Sequence, residues 1–297
     1  MRGPGSRCVM MGAVIRIRLD VSYRGTDFAG WAVQPGLRTV QGTLEEGLAR
    51  VLRADTRLTV AGRTDAGVHS RGQVTHLDVP REVWDTVSGR GHRTGEQALL
   101  SRMTGVLPTD VVVRAVSVAP PGFDARFSAL SRRYRYRIVD RHALRDPLRA
   151  DWVLWSKRPL DVDAMQAAVQ PLVGVRDFKA FCRPRPGATT IRHLQELTWE
   201  RVDAGPDDGL VVASVRSDAF CHNMVRALVG ASMAVGHGQR PVGWPAEVLR
   251  RGERDPLAGV VPPHGLTLEE VEYPDDAEVA LQAERSRARR IEEHVWR

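Results

Sequence analysis

The sequence predicts an α+β protein built from two similar domains, each with a mainly antiparallel mixed sheet flanked by helices. Three observations carry this reading. Period-two runs of apolar residues recur in both halves, runs at helical spacing lie between them, and Pro120, Pro121 and Gly122 punctuate the middle of the chain. We read 14–122 as an N-terminal domain, 123–274 as a C-terminal domain and 275–297 as a charged extension. A chain of 297 residues, 42% of them apolar, has the length of two ordinary domains and enough apolar residues to give each a core.

The elements follow in order. Ile15, Ile17, Leu19, Val21 and Tyr23 alternate with polar residues and form a strand. Residues 23–36 are Gly-rich loop. Val40, Leu44, Leu48 and Val51 recur at helical spacing behind Thr39, a natural N-cap. Strands are expected over 57–61 and 73–79, with a polar, Gly-dotted segment between them. A mobile loop over 87–95 leads to a helix ending near Thr104, and 111–118 forms the next strand. In the second half, strands are expected over 132–139, 194–202, 210–217 and 266–273. Helices are expected over 162–172, capped by Asp161, and over 222–235.

Composition bounds the function. Net charge is +7, which suits a polyanionic partner, because each neutralised phosphate releases condensed counterions. Lys157 and Lys179 are the only lysines, so this basicity is almost all arginine, a skew that a GC-rich genome also produces. The apolar stretch Cys8–Ile15 is too short for a membrane span, and Arg16 and Arg18 follow it at once, which argues against a signal peptide. Three sparse cysteines (Cys8, Cys182 and Cys221) and no C-x-x-C suggest neither a disulfide framework nor structural zinc, and point to the cytoplasm.

Three segments carry possible chemistry. In Ala61-Gly62-Arg63-Thr64-Asp65-Ala66-Gly67-Val68-His69, two glycines bracket Asp65 and let the backbone hold its carboxylate forward. An aspartate in such a loop also serves simply as a turn former. In Arg132-Arg133-Tyr134-Arg135-Tyr136-Arg137-Ile138, a strand puts both tyrosines on one face and three arginines on the other. One face suits base stacking, the other phosphate or acidic partners; a solvated edge strand reads the same way. In Phe220-Cys221-His222-Asn223-Met224-Val225-Arg226, a helix places His222, Arg226 and Gly230 on one face, so Arg226 can reach a cleft or simply lie at the surface. The basic loop 183–187 has the character of an RNA contact or of a solvated loop.

Together these strings resemble the bacterial tRNA pseudouridine(38–40) synthase family. Supporting strings are Tyr23 through Trp31, Thr39-Val40-Gln41-Gly42, Gly62 through His69, Gly72-Gln73-Val74, Phe123 through Ser128, Tyr134-Arg135-Tyr136, Met224-Val225-Arg226 and Pro262 through Leu266. They fall in the family's order across residues 14–274; the stretch 83–104 is longer than the family pattern, and the tail after Pro274 is extra. The resemblance implies an active-site cleft between the two domains, Asp65 as nucleophile and Arg226 as its basic partner. It implies Arg63 as filler of the flipped base's place, and Tyr134 as a surface for the uracil and a candidate acceptor of its C5 proton. Leu266 would line the pocket beside Tyr136. It further implies a homodimer acting on transfer RNA.

The chemistry fits these residue types. Pseudouridine formation breaks N1–C1′, turns the ring and rejoins it through C5; nothing is oxidised and no group is donated, so no cofactor or metal is expected. An ionised carboxylate can attack C1′ or C6. Free aspartate has a pKa of about 3.9; a dry pocket raises it and a close arginine lowers it again. Extruding the base costs a few kcal/mol. The alternative is a non-catalytic RNA-binding module, which needs no Asp65–Arg226 pair. A zinc deaminase would require H-x-E and P-C-x-x-C, which are absent, and a metal nuclease would require clustered carboxylates, whereas Asp65 stands among basic residues.

Overall fold

The computed structural model describes residues 13–89, 92–183 and 189–287. In the first half, β1 (Val14–Tyr23), α1 (Val40–Leu52), β2 (Thr59–Val60), β3 (His69–Pro80), α2 (Arg81–Val87), α3 (Gly95–Val106) and β4 (Val111–Val118) follow one another. The second half holds β5 (Ser131–Val139), β6 (Leu154–Trp155), α4 (Val162–Val169), β7 (Gly174–Asp177), β8 (Ile191–Arg201) and β9 (Val211–Ser217). It ends with α5 (Met224–Gly236), α6 (Trp244–Arg251), β10 (Leu266–Glu272) and α7 (Val279–Arg287).

The class is α+β, as the periodicity predicts, and the strands of both halves join in one sheet of order β4-β1-β3-β10-β5-β9-β8-β7. Most neighbours are antiparallel. The junction is the short parallel pairing of β3 with β10, Thr267 opposite His69 and Leu268 opposite Ser70. The last strand of the chain thus lies at the centre of the sheet, between the halves. Two apolar clusters cover it. One holds Ile17, Leu19, Leu44, Leu48, Leu77 and Leu99; the other holds Tyr136, Leu172, Phe178, Leu197 and Leu228.

Local signals account for most elements. The Thr39 hydroxyl accepts from Gly42 N at 3.2 Å at the start of α1, and Asp161 accepts from Ala164 N at 2.9 Å at the start of α4. Thr94 and Gln97 form a reciprocal capping box on α3. The sequence reading misses α2, β6, β7 and α6. The Trp84 indole of α2 packs beneath α3, so tertiary contact overrides weak periodicity there. Residues 90 and 91 of the expected mobile loop lie outside the described residues, as do 184–187 of the basic loop, the first ten residues and 288–297 of the extension. The described part of the extension is not loose. Helix α7 buries Val279 and Ala283, and Ser128 Oγ donates to Val279 O at 2.8 Å, which ties α7 to the 122–128 turn.

The cysteines require a correction. Cys182 and Cys221 form a disulfide, their Cα atoms 5.6 Å apart across a separation of 39 residues. Spacing along the chain could not show this, because the turn after β7 and the segment before α5 meet only in the folded molecule. Among the described residues no helix is long and apolar enough to cross a membrane, and no group of three potential ligands could hold a metal ion.

Candidate active site

Residues 61–68 connect β2 to β3 at the seam of the two halves, and other elements grip the backbone along its length. Ala61 N donates to Val74 O at 2.9 Å, and the Arg132 guanidinium reaches Ala61 O at 2.8 Å. Gln73 Nε2 donates to Gly62 O at 2.9 Å, and Trp31 N donates to Thr64 O at 3.0 Å. The Thr64 hydroxyl pairs with the buried Tyr23 hydroxyl at 2.8 Å. Val68 N closes a turn onto Asp65 O at 3.2 Å, with Gly67 at φ +77°, a conformation side-chain-bearing residues avoid. Gly62 has no such constraint, so only one of the two glycines predicted to shape the bend is needed for it. The Asp65 side chain makes no bond to its own turn; its oxygens point into a cleft.

That cleft has a volume of about 560 Å³. Asp65, Arg63, Tyr134, Arg226, Leu266 and His222 all line it. Arg226 Nη1 lies 3.6 Å from Asp65 Oδ2, and His222 Nε2 lies 3.5 Å from Asp65 Oδ1. Both distances exceed an ordinary N–H···O hydrogen bond, so the carboxylate is attracted from two sides without being locked. Its side chain keeps 31% of its exposure.

Arg226 is held from behind. Its Nε donates to Val261 O at 2.7 Å, leaving the far end of the guanidinium to face Asp65. The close approach that makes this possible depends on Gly230, where an added Cβ would meet Gly259 O at 1.8 Å. Helix α5 begins at Met224, not at His222. Asn223 stands in the left-handed region at φ 67° and turns the chain just before the helix. His222 is therefore on that turn, and it meets Asp65 because of the turn rather than because of an i, i+4 face.

Tyr134 is buried at the cleft wall, with Phe220 edge-on at a ring distance of 5.2 Å. Burial pushes its phenol well above the ordinary value, and the nearby Tyr23 and Asp65 charges push in the same direction against Arg132. Its hydroxyl therefore stays protonated at neutral pH. Leu266 presents an apolar wall. Arg63 is exposed, with no ion pair among the described residues.

Tyr136 corrects the sequence reading. It shares a face with Tyr134, but it is fully buried; its hydroxyl donates to Pro262 O at 2.8 Å and its ring packs on Gly265. It supports the turn that delivers Leu266, opposite it in the β5–β10 register, and it does not line the cleft. The arginines on the other face of β5 meet acidic partners within the chain. Arg133 pairs with Glu270 at 2.7 Å, Arg135 with Asp207 at 3.3 Å, and buried Arg137 with Asp207 and Glu269, each at 2.8 Å. The three arginines of that face are thus each paired with a carboxylate of the same chain. Sequence reasoning missed Arg126, Arg192, Phe220 and the place of His222 in the cleft. Arg126, inside the quoted 123–128 string, had a sequence signal; Arg192 had none.

Comparison with known proteins fits this geometry. Residues 168–274 match the family model described as tRNA pseudouridine synthase. The tRNA pseudouridine synthase A of Streptomyces griseus is 54% identical over 275 residues, covering 92% of this chain and 93% of that protein. The protein of the same name from Frankia casuarinae is 55% identical, covering 95% and 98%, and that of Mycobacterium leprae is 48% identical, covering 91% and 93%. With identity this high along nearly the whole chain, the protein belongs to the tRNA pseudouridine synthase family.

Proposed function

We propose that the protein converts uridine to pseudouridine at positions 38–40 of the anticodon stem-loop of transfer RNA, with Asp65 as nucleophile. The observation that carries this is the Asp65 carboxylate, held forward into a cleft and faced by a guanidinium from the other half of the chain at 3.6 Å. A carboxylate that only formed a turn would bond its own backbone.

The remaining groups take roles their positions support. Arg226 balances the charge of the Asp65 carboxylate from 3.6 Å and aims it. Arg63, exposed at the rim, fills the space left by the extruded nucleotide. Tyr134 and Leu266 sandwich the uracil, which suits an apolar ring with polar edges. Asp65 attacks C1′ or C6, the N1–C1′ bond breaks, the ring turns, and C5 bonds to C1′. The net change is an isomerisation and needs no cofactor. The two halves, 14–122 and 123–274, contribute the nucleophile and its partners respectively. The chain acts in the cytoplasm as a homodimer, with one tRNA crossing both subunits.

Incubation with tRNA tritiated at uridine C5 tests the reading. Wild-type protein should release tritium, and Asp65→Ala should bind tRNA but release none. Absence of release from every tRNA would reject the function, and undiminished release by Asp65→Ala would reject the nucleophile.

A further inference from the structure

Every uridine isomerised must lose its C5 proton, so the cleft must hold a base. Among the described residues that line it, the titratable side chains other than arginines are Asp65, Tyr134 and His222; Cys221 is tied up in the disulfide. Asp65 is committed as nucleophile. Tyr134 is buried, and its phenol stays protonated at neutral pH. His222 is 27% exposed, and its Nε2 faces Asp65 Oδ1 at 3.5 Å. Imidazole exchanges protons near neutral pH, which is what a general base requires.

We propose that His222 is a catalytic residue that accepts the C5 proton, with Asp65 steadying the imidazolium that results. This rests on the isomerase reading above. Whether Asp65 attacks C1′ or C6, C5 then bonds C1′ beside that carboxylate, so its hydrogen leaves near the His222 ring that faces Asp65. In that step the C5–H bond breaks and its electron pair forms the C5–C6 double bond. The C6–N1 π pair moves onto N1, which takes a proton from water. The His222 imidazole receives the C5 proton and passes it to solvent through its exposed edge. The arrangement also separates the two partners of Asp65. Arg226 is a fixed charge anchored on Val261 O, whereas His222 can change charge once per turnover.

Among the described residues, charged groups reach the surroundings of the imidazole from several elements. Asp65 faces it from the 61–68 loop, and Arg226 of α5 faces the other oxygen of that carboxylate; in the segment after β7 the main-chain N of Arg183 donates to His222 O at 2.9 Å. Arg63, Arg126, Arg132 and Arg192 line the same cleft. Arginine as a residue type stays charged over the range from about pH 5.5 to about pH 8.5 in which imidazoles change charge.

Single-turnover tritium release from C5-labelled tRNA, with enzyme in excess, tests this across that window. Wild type should show a rate that rises with pH to a plateau. His222→Gln should lose on the order of 100-fold in rate and lose the rising limb, with tRNA affinity within about threefold of wild type. His222→Ala should recover about tenfold or more when imidazole is added to the buffer, and Asp65→Ala should recover nothing. A His222→Gln rate within about threefold of wild type with the same pH profile would overturn the assignment. So would a slow but folded His222→Ala that imidazole cannot restore. If wild type itself releases no tritium, the isomerase reading fails first and this inference falls with it.

Discussion

On β3, His69 and His76 are buried and both rings are used inside the protein. His69 Nδ1 accepts from Gly25 N at 3.0 Å, so Nε2 carries the hydrogen and donates to Asp151 O at 2.8 Å. His76 Nδ1 accepts from Ala125 N at 3.0 Å; burial, helped by the Arg16 charge, pushes its pKa down to about 4. Ahead of α5, His222 keeps an exposed edge, and its Nε2 faces the Asp65 carboxylate in the cleft. Residue type does not separate these histidines. What separates them is whether the lone pair is already spent on a backbone N–H and whether solvent can carry a proton away.

The largest test of this contrast removes the oxygen that makes the cleft histidine different. Asp65→Ala should cut the single-turnover rate by at least about 10⁴-fold, near 5.5 kcal/mol of barrier, while tRNA retention in a gel shift stays intact. Next comes acid. The unfolded pKa of histidine is about 6.5 and the folded value for His76 is about 4, so the neutral ring favours the fold above pH 6.5. That stability should be lost as pH falls from there toward 4, reaching on the order of 3 kcal/mol in urea unfolding. His76→Leu should remove that share of the pH dependence; a curve parallel to wild type would break the assignment.

Arg226→Gln should cost on the order of 100-fold in rate, about 2.7 kcal/mol, and Arg226→Lys should not restore it. An ammonium cannot bond Val261 O through Nε and still present a second donor to Asp65. At constant pH, His76→Leu should destabilise the fold by about 2 kcal/mol, because Ala125 N loses its acceptor in a buried site. Activity per folded molecule should be unchanged. The smallest effect sharpens the comparison most: His222→Gln should change unfolding free energy by less than about 0.5 kcal/mol. A large loss there would make His222 structural, like its counterparts on β3.

Much of the fold and part of the site were legible in the chain. Strict alternation in β1 and β5 and the apolar stripe of α1 gave their elements to within a residue or two, because buried faces impose the period directly. The caps at Thr39 and Asp161 were readable because an N-cap is a local bond. Asp65, Arg226, Tyr134 and Leu266 were singled out through the order of the strings that carry them, and the structure brings all four to one cleft. Tyr136 was misassigned because alternation tells which face a side chain takes, not whether that face at that point is cleft or core. Helices α2 and α6 escaped notice because they are short, so little of their stability is local.

The sequence by itself determined the quantities that depend on neighbours in the chain: strand period, helix caps, the turn at Gly67, the basic balance and the order of the motifs. Only the tertiary structure decided what lies across space. It joined the two halves through β3 and β10, paired Cys182 with Cys221, neutralised the arginine face of β5 with Asp207, Glu269 and Glu270, and set His222 and Arg226 on opposite oxygens of Asp65. The physical reason is that charge–charge and proton-transfer chemistry depends on distances of a few ångströms. Those distances, between residues far apart in the chain, exist only after the sheet has closed around its last strand.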